Sequence, residues 1–209
     1  MNPSVAISFS GNDTVTPNEE HAGGHLSSMP GFHALCETFG LSSNEHAMRT
    51  KDGSEICVYR VSGGTTTGVV LIYGGFGMGP EIWVCSTQRN RCLPFLLSTL
   101  GYDVWVGSNR GYRHGENWSF DLHTLASDLE DVIRGVLEIT GVSKLSYIGF
   151  SQGTTQAIMA LGNNPKLHEK INIFVALAPV TTWQRPPTRV LKMLANSPWV
   201  VLIHIFYEN

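Results

Sequence analysis

The chain has 209 residues, of which 42% are hydrophobic, 10% aromatic and 15% charged, and its net charge is −3. That is enough chain for one well-buried core, and the composition excludes collagen-like, low-complexity and highly charged disordered classes. With no basic run, nucleic acid is not an expected partner.

Residues 1–30 are rich in Ser, Gly, Asn, Pro and Thr and carry no sustained apolar period, so they read as a flexible leader. His46 to Thr50 and Ile56 to Val61 flank a turn at Lys51-Asp52-Gly53-Ser54, the pattern of an antiparallel hairpin. Val69-Val70-Leu71-Ile72-Tyr73 is a continuous β-prone run ending in Gly74-Gly75, as expected of a strand buried on both faces. A helix over Cys92 to Leu100, closed by Gly101, leads to a second buried strand at Tyr102 to Gly107. Leu122, Leu125, Leu129, Val132, Ile133, Val136 and Leu137 recur at steps of three and four, predicting a long amphipathic helix that ends at Thr140-Gly141. A strand at Leu145 to Gly149, a helix through about Gly162 and a strand at Ile171 to Ala178 complete the series. Regular alternation of strand and helix predicts a mostly parallel sheet with helices on both faces. The tail from Arg185 holds two adjacent prolines and then apolar helical pieces.

Gly149-Phe150-Ser151-Gln152-Gly153 matches G-x-S-x-G. The pattern alone is an ordinary Gly-rich turn as readily as a catalytic one. Here a strand precedes it and a helix-prone stretch follows, which is the context of a nucleophile elbow. Such a turn lifts the serine hydroxyl above the C-terminal edge of the sheet, and the helix N-terminus behind it favours developing negative charge. An acyl-transfer site also needs an oxyanion hole. One donor is expected from the backbone N–H of Gln152, the residue after the nucleophile, and the other from the loop Tyr73-Gly74-Gly75-Phe76-Gly77-Met78-Gly79-Pro80, at the N–H of Phe76. The competing reading of that loop is a phosphate cradle. It fits neither G-x-G-x-x-G nor a P-loop, which needs a Lys after its last Gly.

The partners of Ser151 are harder to place, because base and acid follow the serine in this chain order. After Ser151 the sequence offers only His168 and His204, and only Glu169 and Glu208. His168 and Glu169 precede the last strand, which puts them at the wrong edge of the sheet. His204 lies inside an apolar run and reads as a packed histidine. His114, in the loop after the fourth strand, is on the correct edge but precedes the serine. Cys36, Cys57, Cys85 and Cys92 show no metal-ligand spacing and read as small buried hydrophobes, with a Cys85–Cys92 bridge as the alternative in an oxidising compartment. No metal and no cofactor is expected. Met1 to Ala6 has no basic n-region, and the run Trp199 to Phe206 is far shorter than the ~20 residues of a membrane span, so the expectation is an intracellular chain without a signal peptide or transmembrane helix.

Over about residues 46–183 these features resemble the acid lipases, the family of gastric and lysosomal lipases and fungal steryl ester hydrolases. Thr50-Lys51-Asp52-Gly53 looks like its T-x-D-G hairpin, and Gly101 to Gly107 with Asn109-Arg110-Gly111 is similar to its G-Y-D-V-W-x-G…R-G signature. Asp128-Leu129, Gly149 to Thr154 and Ala176-Leu177-Ala178-Pro179-Val180 match further motifs, and Phe150 resembles the fungal branch. The resemblance implies a partial α/β-hydrolase fold: a core over residues 31–183, the start of a lid or a helical tail over 184–209, and the last strands missing. It implies hydrolysis of lipid esters, triacylglycerols or steryl esters, through an acyl-enzyme on Ser151, at a lipid droplet or membrane surface. The chain departs from the family at Gly74-Gly75, where His-Gly is usual, at Phe76, where Leu is common, and in a shorter stretch between Gly111 and Trp118. The family's catalytic Asp and His have no counterpart. The alternative function is therefore an inactive truncated hydrolase that serves, if at all, in binding.

Overall fold

The computed structural model describes residues 30–61, 67–112 and 120–181. The leader over 1–29, His114 and the tail with His204 and Glu208 lie outside the described residues. Six strands form one sheet: β1 (Ser43–Arg49), β2 (Glu55–Val61), β3 (Gly68–Tyr73), β4 (Tyr102–Gly107), β5 (Leu145–Phe150) and β6 (Ile171–Leu177). Their order across the sheet is β1-β2-β4-β3-β5-β6. β4, β3, β5 and β6 run parallel, and the β1–β2 hairpin adds antiparallel to β4. The expected mostly parallel sheet is thus present, with the predicted hairpin at its edge.

Alternating side chains divide the core. Val69, Leu71 and Tyr73 of β3, with Trp105 of β4 and Tyr147 of β5, face helices α3 (Leu122–Thr140) and α4 (Gln152–Asn163). Val70, Ile72, Val104, Val106 and Ile148 face the other way, toward α1 (Phe32–Thr38) and α2 (Leu93–Thr99). A strand buried on both faces must be apolar at every position, which is why β3 reads as an unbroken run.

The helices begin and end where their sequence dictates. Asp121 caps α3 by accepting from the Thr124 N–H (2.8 Å), and Gly141, left-handed at φ 72°, closes it. α1 was not expected. Seven residues with only Phe32 and Cys36 buried give too short a period to read. The four cysteines are free: Cys36, Cys57 and Cys92 are buried, as their reading as small hydrophobes required, and Cys85 is exposed. Among the described residues no helix is long and apolar enough to cross a membrane.

Candidate active site

Strand β5 ends at Phe150 and α4 begins at Gln152, so Ser151 alone makes the turn. It does so at φ 51° and ψ −114°, a conformation that L-residues rarely adopt. The flanking glycines are required by contact. A Cβ on Gly149 would meet the Gly153 carbonyl at 2.9 Å, and one on Gly153 would meet the Gly74 oxygen at 2.8 Å and the Tyr73 oxygen at 2.9 Å. The turn is tied down on its far side. Ser151 donates its N–H to the Leu177 carbonyl (3.0 Å), and the buried Thr154 hydroxyl donates to the Ser151 carbonyl (2.6 Å) and accepts from the Val180 N–H (3.1 Å). The loop after β6 therefore packs on α4, with Ala178 itself at φ 45°.

The Gly-rich loop after β3 comes to the same place, because β3 and β5 are parallel neighbours and both end at one edge. β4 lies on the opposite side of β3 from β5, so the site occupies the point where strand order reverses. Gly75 is buried against the serine: its Cβ, had it one, would stand 3.1 Å from Ser151 Cβ and 3.5 Å from Oγ. The Gly75 N–H donates to Met78 Sδ (3.3 Å), and the Met78 N–H returns to the Gly75 carbonyl (3.3 Å). Phe76, between them, has its side chain 59% exposed. Gln152 is the first residue of α4, where helical N–H groups lack partners within the helix.

A third segment, the loop after β4, braces these two, and its role was not read from sequence. The buried Gln156 of α4 donates through Nε2 to Asn109 Oδ1 (2.7 Å). Arg110 pairs bidentately with the buried Asp128 of α3 (2.6 and 2.5 Å) and reaches Asp52 of the hairpin turn (2.7 Å). Burial pushes the Asp128 carboxyl up, and the guanidinium offsets part of that rise. The Arg110 hydrogen bond holds Asp52 well below the usual carboxylate range. Tyr112 donates its phenol proton to Glu81, in the short 3-10 helix Pro80–Trp83 that follows the Gly-rich loop. Burial and that bond push the phenol up. Arg110 and Asp128 were visible as family signatures, but a pairing across eighteen residues of chain has no local signal.

None of the described histidines is hydrogen-bonded to Ser151. His168 and Glu169 lie exposed in the 3-10 helix Pro165–Lys170 before β6, at the edge away from Ser151, as the sequence predicted. His168 Nε2 is instead 3.1 Å from the Leu161 carbonyl. His33 contacts Ser43, and His46 stacks on Trp105. Among the described residues no cluster of His, Cys, Asp or Glu could hold a metal ion. An apolar crevice lined by Leu129, Ile133, Tyr147, Leu161 and Phe174 lies between α3, α4 and β6, a packing gap remote from the serine.

Comparison with known proteins identifies relatives of the fold. The alpha/beta hydrolase fold family matches residues 68–201. The chain is 40% identical over 164 residues to a probable lipase of Schizosaccharomyces pombe, covering 71% of this chain and 37% of that one. It is 35% identical over 184 residues to human lipase member K, covering 79% and 46% respectively. It is 36% identical over 163 residues to bovine gastric triacylglycerol lipase, covering 69% and 41%. The chain thus spans less than half the length of these relatives. Among solved structures, a Pyrococcus furiosus esterase superposes with a TM-score of 0.62 at 18% identity, over 82% of this chain and 63% of that one, a likeness of fold.

Proposed function

Because this chain belongs to the α/β-hydrolase fold family, in its acid lipase-like branch, we propose that it carries the nucleophile and oxyanion hole of a lipid ester hydrolase. The observation that carries the reading is Ser151 itself, a lone turn residue in a strained conformation between a buried strand and a helix N-terminus, with Gly75 packed against it. In the reaction Ser151 Oγ attacks the ester carbonyl, its proton passes to a base, and the alcohol leaves an acyl group on the serine that water then removes. The negative charge on the carbonyl oxygen is held by the N–H groups of Gln152 and Phe76. The Gly75 and Met78 N–H groups are already engaged within the loop, which leaves the task to the two residues between them, of which Phe76 directly follows the Gly75 that packs on Ser151.

Among the described residues no histidine is hydrogen-bonded to Ser151, so their share of the chemistry is attack and charge stabilisation. Exposed apolar side chains, Phe76 on the Gly-rich loop and Ile82 in the 3-10 helix after it, suit a substrate with long acyl chains presented at a lipid surface. The relatives' names favour triacylglycerol, and Phe150, which resembles the fungal steryl esterases, keeps steryl esters in the same class.

The test is covalent. A fluorophosphonate probe is expected to label the chain at Ser151 and not the Ser151→Ala variant. Turnover of p-nitrophenyl acyl esters, emulsified triacylglycerol and cholesteryl ester, each against that variant, ranks the substrates. No labelling, and no turnover above Ser151→Ala, overturns the reading in favour of an inactive binding protein.

A further inference from the structure

We propose that Tyr112 is a positioning residue which, through Glu81, holds the Gly74–Gly79 loop in place over Ser151. The inference rests on reading that loop as part of the oxyanion hole. One end of the loop is set by β3 and by the contact of Gly75 with Ser151. The other end, at Gly79, leads into the 3-10 helix Pro80–Trp83 and lies directly under the Tyr112 ring. A Cβ on Gly79 would overlap both Tyr112 and the Glu81 carboxylate, so the three groups form one close-packed cluster. Gly79 has φ −78°, which any residue adopts, so a larger residue there would be opposed only by the Tyr112 and Glu81 side chains, which would have to move aside.

A clamp is only as firm as its mounting, and Tyr112 is firmly mounted. It ends a turn in which its N–H donates to the Asn109 carbonyl (3.3 Å) and Gly111 takes φ 78°. Asn109 is bonded to Gln156 of the nucleophile helix, and Arg110 is forked onto Asp128 of α3. The path therefore runs from α4, which also carries Gln152, through the loop after β4 to Tyr112, Glu81 and the Gly-rich loop. The two N–H donors assigned to the oxyanion hole sit at its two ends. Their spacing matters, because donors work only at about 2.7–3.1 Å from the developing oxyanion, and a shift of about 1 Å lowers the rate by as much as a hundredfold. Tyr112 touches no reacting atom in this scheme; it acts through the loop.

Four variants test this: Tyr112→Phe, Glu81→Ala, Glu81→Gln and the double Tyr112→Phe/Glu81→Ala. The first readout is amide hydrogen exchange in peptides spanning 74–84 and, as a control, in α3. The second is the rate of fluorophosphonate labelling of Ser151 as a function of probe concentration. Tyr112→Phe and Glu81→Ala are expected to speed exchange in 74–84 alone. They should lower the maximal labelling rate about tenfold and leave the half-saturating concentration unchanged, the pattern of lost transition-state stabilisation. Glu81→Gln keeps an acceptor oxygen for the phenol and should hold both readouts within about twofold of the parent. The double variant should be no worse than either single one, since both break the same bond. Unchanged exchange in 74–84 on Tyr112→Phe overturns the proposal, as does faster exchange throughout the chain or a change in half-saturation alone. A parent chain that is never labelled sinks the hydrolase reading, and the exchange arm then still decides whether the clamp exists.

Discussion

Ser151 stands in a conformation that its neighbours impose. The Leu177 carbonyl fixes its N–H, Thr154 fixes its carbonyl, and the contacts of Gly149 and Gly153 leave the chain no wider path. A non-glycine residue at such angles stores about 1–3 kcal/mol of strain, which persists only where the surroundings over-determine it. That strain can be measured by comparing two substitutions. At an ordinary position glycine is less stable than alanine by about 0.5–1 kcal/mol, because it loses more backbone freedom on folding. At Ser151 the order should invert. Ser151→Gly removes the Cβ that makes φ 51° costly, whereas Ser151→Ala keeps it, so the glycine variant should be the more stable by about 1 kcal/mol. Urea unfolding of the two variants reads this directly; an alanine variant equal to or above the glycine variant would show that the turn is not strained. The methyl-free approach at Gly153 gives no such latitude, since a Cβ there would press on two backbone oxygens.

At the scale of elements, the hairpin turn is fastened to α3 by charge. Lys51 donates its N–H to Asp131 (2.7 Å), and Arg110 bridges Asp52 and Asp128. Asp52 has its folded-state pKa depressed, first by the Arg110 hydrogen bond and then by that of Thr50. A carboxylate so depressed contributes stability that is present above its unfolded value of about 3.9 and lost as pH falls toward the folded value. Asp128, raised first by burial, acts in the opposite sense, and Asp52→Asn removes only one of its lesser causes, the Asp52 charge. The parent should be the more stable at pH 7, with the gap beginning to narrow below about pH 5 and continuing to narrow through about pH 3 and below, toward the depressed folded value. Added salt should narrow the gap as well, because half of the Asp52 side chain is in solvent. A gap independent of pH would show that the Asp52 charge contributes nothing to stability. These links show where the sequence was legible and where it was not. β3, β4 and β5 could be read from apolar runs, α3 from its period and the elbow from five consecutive residues, because each is a local pattern. α1 and the 3-10 helices are too short to show a period. The braces Asn109–Gln156, Arg110–Asp128 and Tyr112–Glu81 exist only once the β4 loop is laid beside α4, α3 and the Gly-rich loop, and no spacing along the chain announces them.

For the molecule as a whole, the two faces of the sheet are unequally covered. α3 and α4 lie over one face, and Phe174 of β6 packs into that core. On the other face α2 packs against β4 and β2, and α1 against β1, so the helical cover sits toward the hairpin side. Val175 of β6 is in register with Ile148 and shares its face, where it is 38% exposed; Ile173, beside the register shift between Ile171 and Phe174, is 56% exposed. β6 is also the last strand of the described sheet, so its outer row of backbone groups has no strand beside it. An apolar stripe joined to an open strand edge is a template for association, and charged residues, lysine above all, are the usual way to blunt it. The chain is therefore expected to self-associate, its mass by light scattering rising with protein concentration. Ile173→Lys/Val175→Lys should return it to a concentration-independent monomer without lowering Ser151 labelling, since neither residue lies in the Ser151 turn or the Gly-rich loop. A parent chain that scatters as a clean monomer at every concentration would show that this face is already covered.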